Sequence, residues 1–87
     1  MLSANTTFLG IRGGIDPNRG MYEVHQVAMG SPAAMMGVAP GDYILRVNGR
    51  LISNAGDLRM AQRQAGGQYS VQVLRPGQMR PRMLFYP

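Results

Sequence analysis

Asn48-Gly49 separates two β-rich runs, Tyr43-Ile44-Leu45-Arg46-Val47 and Arg50-Leu51-Ile52. Both positions of that dipeptide tolerate φ > 0, as a two-residue type I′ turn requires, so the runs are expected to fold back on each other as a hairpin. Similar punctuation recurs at Gly13-Gly14, Asp16-Pro17-Asn18, Pro40-Gly41-Asp42, Gly66-Gly67 and Pro76-Gly77. Only short elements fit between such breaks, and most of the intervening runs have strand character.

Read in order, residues 8 to 12 form a short strand and residues 13 to 20 a turn-rich loop whose length implies mobility. Met21 to Val27 reads as a strand, with Tyr22, Val24 and Gln26 on one side and Met21, Glu23, His25 and Val27 on the other. Gly30-Ser31-Pro32-Ala33-Ala34-Met35-Met36-Gly37 carries a helix signal: Ser31 as N-cap, Pro32 at the first helical position, where its missing N–H costs nothing, and Gly37 as a left-handed stop. Ser53 to Asp57 supplies caps for a second helix over 58–65, with Leu58, Ala61, Gln62 and Ala65 inward. Tyr69 to Arg75 and Arg82 to Tyr86 complete the strands.

Eighty-seven residues make one domain spanning 1–87, with residues 1–7 expected as a flexible lead-in. With no cysteine in the chain, disulfides, zinc–thiolate sites and thiol chemistry are excluded. No apolar run approaches the ~20 residues needed to span a bilayer, and no membrane insertion is expected. The net charge of +5 comes from arginine alone, set against Asp16, Glu23, Asp42 and Asp57. It favours acidic partners. The arginines are dispersed, and no basic run alternates with stacking aromatics, so a nucleic-acid partner is not expected.

An enzyme is not expected either. His25 is the sole histidine, and its cap role explains Ser31, so no Ser-His-Asp set can be assembled. A soft-metal site built from eight methionines and His25 is an alternative. Core filling by flexible side chains accounts better for Met35-Met36, Met60, Met79 and Met83, so neither metal nor cofactor is expected.

Phe8-Leu9-Gly10-Ile11 is the stretch with most chemistry in it. Gly10 adopts φ > 0 freely and lets the chain curl into a nest of backbone donors suited to a carboxylate. The motif is weak alone. Followed by Ser31-Pro32-Ala33-Ala34 with Gly37, then Gly41-Asp42-Tyr43-Ile44-Leu45, Val47-Asn48-Gly49 and Val71 to Gly77, it resembles a PDZ domain over residues 8 to 86. The form is similar to the bacterial, circularly permuted domains of HtrA/Deg-type serine proteases, in which Met83-Leu84-Phe85-Tyr86 would fill the place of a missing edge strand.

The resemblance implies a mainly β fold with two short helices: a partly open antiparallel barrel or sandwich of five to six strands. It further implies capture of a peptide C-terminus by strand addition along Ile11-Arg12-Gly13, beside the helix 58–65. The N–H groups of Leu9, Gly10 and Ile11 would hold the carboxylate at the end of the loop opened by Phe8. Leu9, Ile11 and Leu58 would line the pocket for an apolar last side chain, with Gln62 on its rim. Arg12, with Arg59 or Arg63, would meet acidic residues upstream in the ligand. No histidine stands in Ala55-Gly56-Asp57, where many eukaryotic relatives use one to select a ligand hydroxyl. The implied setting is the bacterial periplasm or cell envelope, with this domain, itself a monomer, delivering substrate to or regulating an HtrA-like protease that can oligomerise. The alternative is a scaffolding domain of an envelope protein without protease function.

Overall fold

The computed structural model describes residues 8–87; the lead-in expected over residues 1–7 lies outside the described residues. Val71 and Val73 are wholly buried and alternate with half-buried Ser70, Gln72 and Leu74 along a strand paired on both edges, and the core is built on this strand.

The elements run β1 (Ile11–Asp16), β2 (Met21–Val27), α1 (Pro32–Met36), β3 (Tyr43–Val47), β4 (Arg50–Leu51), α2 (Ala55–Gln64), β5 (Tyr69–Leu74) and β6 (Arg82–Tyr86). All strand pairs are antiparallel. They form one open six-stranded sheet in the order β1-β2-β3-β5-β6, with β4 paired to β3. The fold is mainly β with two helices, and β6 lies on β5 at the edge opposite β1.

Local chemistry fixes several boundaries. The Ser31 hydroxyl accepts the Ala34 N–H at 3.2 Å, Pro32 opens α1, and Gly37 closes it at φ 94°. At the hairpin tip, Asn48 and Gly49 take φ 50° and 83°, and the Asn48 side chain also ties the turn to β5 by accepting the Ser70 N–H at 2.7 Å.

Three boundaries differ from expectation. β1 runs on to Asp16 instead of dissolving at Gly13, because pairing with β2 along Gly13↔Val24, Gly14↔Glu23 and Ile15↔Tyr22 outweighs the poor strand propensity of glycine. The expected mobile loop is thereby reduced to a tight turn, closed by Gly20 N–H donating to the Asp16 carbonyl at 2.7 Å. In β2 the register jumps from Arg12↔Gln26 to Gly13↔Val24, leaving His25 as the extra residue and turning Gln26 outward while Tyr22 and Val24 stay buried. α2 begins a turn early because Asn54, not a later residue, caps it, accepting the Asp57 N–H at 2.9 Å.

Methionine is a fourth departure. Met36 is buried, but Met29 and Met79 are 98% and 96% exposed, and Met35, Met60 and Met83 also reach solvent. The core is aliphatic and aromatic instead: Phe8, Ile11, Tyr22, Val24, Ile44, Val47, Leu58, Val71 and Val73. Each such burial is worth about 1.5–3 kcal/mol for the larger side chains.

Candidate peptide groove

The chain turns sharply at Phe8-Leu9-Gly10-Ile11. Leu9 has φ 54° and Gly10 φ 90°, and the Ile11 N–H donates to the Phe8 carbonyl at 2.7 Å. Two successive positive φ values closed by that bond make a type I′-like turn. Leucine is unfavourable there by about 1–2 kcal/mol, and strain of this kind concentrates at functional sites. Its carbonyls are tied inward: Leu9 C=O accepts from Ala33 N–H at 3.1 Å and Gly10 C=O from Ala28 N–H at 3.0 Å. In a trans peptide the N–H of Gly10 points opposite the Leu9 carbonyl, hence away from α1. The turn uses the Ile11 donor itself, so a carboxylate would depend on Leu9 and Gly10.

From this turn β1 departs as a sheet edge, bonded to β2 on one side. The opposite ladder shows which groups face outward. Val24 donates its N–H to the Asp42 carbonyl at 2.8 Å and accepts the Gly41 N–H at 2.8 Å, so both its groups face away from β1. Gly13 lies across from Val24 in a non-hydrogen-bonded pair, and its own N–H and C=O are therefore directed to the free edge.

The other wall is α2. Its start is fixed by Asn54 and by Asp57, whose carboxylate accepts the Ser53 N–H at 2.9 Å and stands 3.5 Å from Arg50. Leu58 and Ala61 are buried toward the core, while Arg59, Gln62 and Arg63 are exposed. Phe8, Tyr22, Ala55, Leu58, Arg59 and Gln62 line a cavity of about 20 Å³ between the strands and this helix.

Of the residues singled out from sequence, Phe8, Leu58 and Gln62 thus meet around one slot. Phe8, Ile11 and Leu58 are also core residues, and the Phe8 ring meets that of Tyr69 edge-on at 5.7 Å. Leu9 is half-buried. Gly10 and Arg12 line a separate, wider depression of about 490 Å³ with His25, Val27 and Pro40. Gly13 is exposed on β1. Tyr22 was not singled out; the sequence placed it on one side of its strand with Val24, and the structure buries both.

Two polar clusters hold the frame. Asp42 is 1% exposed, faces Arg75 Nε at 3.2 Å and accepts the Ala39 N–H at 2.9 Å, while Arg75 also donates to the Gly37 carbonyl. Tyr43 Oη donates to Asp16 Oδ2 at 2.9 Å, and Arg19 reaches the same oxygen at 3.1 Å. The Asn18 N–H, then Tyr43 and Arg19, hold the Asp16 carboxyl below its ordinary range. Among the described residues no three His, Asp or Glu side chains gather as a metal site.

A family model described as a PDZ domain matches residues 23–75. The chain is 35% identical over 78 residues to the magnetosome formation protease MamE of Magnetospirillum gryphiswaldense, a match covering 87% of this chain and 10% of that protein. It thus spans about a tenth of the length of that relative. The HtrA3 PDZ domain bound to a phage-derived ligand, FGRWV, superposes with a TM-score of 0.77 at 25% identity, covering 91% of this chain and 82% of that one. The HtrA-type protease AlgW with a decapeptide gives 0.74 at 27% identity, covering 90% of this chain and 27% of that one. Matched by the PDZ model over residues 23–75 and by the HtrA3 PDZ domain over 91% of its length, this chain belongs to the PDZ family, in the form found in HtrA-type proteases.

Proposed function

We propose that the slot between β1 and α2 captures the C-terminus of a polypeptide ending in an apolar residue, which adds to β1 as an antiparallel strand. The observation that carries this reading is the free edge of β1: it is bonded to β2 alone, and Gly13 directs both backbone groups outward. Main-chain bonds along that edge supply affinity, and side-chain pockets supply selectivity. The Leu9 and Gly10 N–H groups receive the terminal carboxylate, where charge-assisted bonds are roughly twice as strong as neutral ones. Phe8, Ile11 and Leu58 give the floor for the last side chain, Gln62 the rim, and Arg12 and Arg59 the cationic flank for acidic residues further upstream.

The peptides named with HtrA3 and AlgW support a peptide ligand here. In the longer polypeptide the domain delivers substrate to, or regulates, an HtrA-like serine protease of the bacterial cell envelope. A display screen of random C-terminal peptides tests the groove: enrichment of apolar last residues is expected, and enrichment indifferent to the free C-terminus would overturn it. A coding sequence with no protease domain beside this one would refute the protease assignment.

A further inference from the structure

One face of the sheet is given to the core, through Val47, Val71 and Val73 on β3 and β5 and Leu84 and Tyr86 on β6. The opposite face follows from the pairing, because directly paired residues of antiparallel strands point the same way, about 5 Å apart. Arg46 pairs with Leu51 on one side and Gln72 on the other, and Gln72 pairs with Met83. Leu51, Arg46, Gln72 and Met83 thus form one row across β4, β3, β5 and β6. Beside it stands Phe85, paired with Ser70. The solvated face of an antiparallel sheet is ordinarily polar. Here Leu51 is 57% exposed, Met83 46% and Phe85 64%.

The ionised groups of this region are all arginines. Arg46 lies within the row, and exposed Arg80 and Arg82 follow the exposed Met79 where the chain enters β6. None of the four acids joins them. Asp42 is buried against Arg75, Asp57 pairs with Arg50, and Asp16 and Glu23 are engaged on β1 and β2, with Arg19 and Tyr43 and with His25. β2 is three strand spacings from β6, about 14 Å. A second copy would set Arg46 and a net charge of +5 against their like. An anionic bilayer supplies both complements at once: phosphates for the arginines, and an apolar layer within reach of side chains that stand out from an open sheet.

From this charge complementarity we propose that the β4-β3-β5-β6 face docks the domain on an anionic phospholipid surface, with Leu51, Met83 and Phe85 entering the headgroup layer and Arg46, Arg80 and Arg82 at the phosphates. A few apolar side chains and arginines give weak, reversible attachment rather than an anchor. The peptide edge, β1, lies at the other end of the sheet. The groove therefore stays open while this face rests on the bilayer.

The test is sedimentation of the wild-type domain with phosphatidylcholine vesicles, either pure or containing about 30% phosphatidylglycerol, the source of the surface charge. Binding to the anionic vesicles alone is expected, falling at least fivefold between about 0.1 M and about 0.5 M salt as the charges are screened. Arg46→Glu should weaken it by roughly tenfold, whereas Arg63→Glu on α2, the same change in net charge, should cost about twofold or less. Urea midpoints check that both variants fold. Phe85→Trp places the only tryptophan in a chain that has none of its own, and its emission should move to the blue on anionic vesicles. No binding of the wild type to anionic vesicles overturns the proposal without any variant. Equal losses in Arg46→Glu and Arg63→Glu, or emission of Phe85→Trp unmoved while the protein sediments, overturn the assignment to this face. The same blue shift with soluble polyglutamate in place of vesicles would give the face to an acidic polypeptide and overturn the lipid reading.

Discussion

Gly10 lies against Ser31 so closely that a Cβ added to it would stand 2.3 Å from the Ser31 Cβ and 2.6 Å from its Oγ. The turn at Leu9-Gly10 and the cap of α1 are therefore one packed unit, joined also by the Leu9 carbonyl bond to Ala33 N–H. Gly10→Ala should disrupt both, since φ 90° disfavours any side chain and the space is already taken. Loss of about 2 kcal/mol or more is expected in urea denaturation, with peptide affinity falling at least tenfold. Ser31→Ala removes the cap but keeps the Cβ that stands against Gly10, costing about 1 kcal/mol with the turn geometry retained.

Asp42 and Arg75 are 33 residues apart in sequence and form a partly buried ion pair. Arg75→Ala leaves the Asp42 carboxylate without its cation. Destabilisation of about 3–5 kcal/mol is expected, read as a lower urea midpoint with unchanged slope. An effect below 1 kcal/mol would show that the Ala39 N–H alone suffices for that carboxylate.

Tyr43 fastens the β1–β2 turn through Asp16. Because the folded Asp16 pKa lies below its unfolded value, the associated stability is present above about pH 4 and is lost as pH falls through the folded pKa. Tyr43→Phe deletes one of the bonds holding the carboxylate. In a carbon-13 NMR titration the Asp16 pKa should then rise toward 3.8, its ordinary value. An unchanged titration would mean that the Asn18 N–H and Arg19 account for the whole depression.

Arg12 and Arg59 predict a salt-dependent preference for acidic residues upstream in the ligand. Replacing an upstream Asp of a bound peptide by Ala should weaken binding by about twofold to fivefold at low salt and less at 0.5 M, since such exposed pairs are worth at most about 1 kcal/mol and are screened. Equal affinities at both salt concentrations would make these arginines bystanders.

What the sequence disclosed was what short-range chemistry decides. Ser31, Pro32 and Gly37 bound their helix, and Asn48-Gly49 turns its hairpin, through groups within a few residues of one another. Partnership across the sheet overrode local preference elsewhere: β2 extends β1 through two glycines, and a bulge at His25 turns Gln26 outward. The turn at Phe8 to Ile11 was legible from Gly10, but the spending of the Ile11 N–H on the Phe8 carbonyl follows from φ > 0 at Leu9, a residue that rarely adopts it. Tyr22 lay hidden for a similar reason. Its ring packs against β1 where Gly13 has no side chain, a relation no local pattern encodes.

The account rests on a free C-terminal carboxylate seated at Leu9 and Gly10. Calorimetric titration of Phe-Gly-Arg-Trp-Val and its C-terminal carboxamide, at one salt concentration and pH 7, measures that most directly. Amidation should weaken binding by at least tenfold, about 1.4 kcal/mol. Equal affinities for acid and amide would contradict the account.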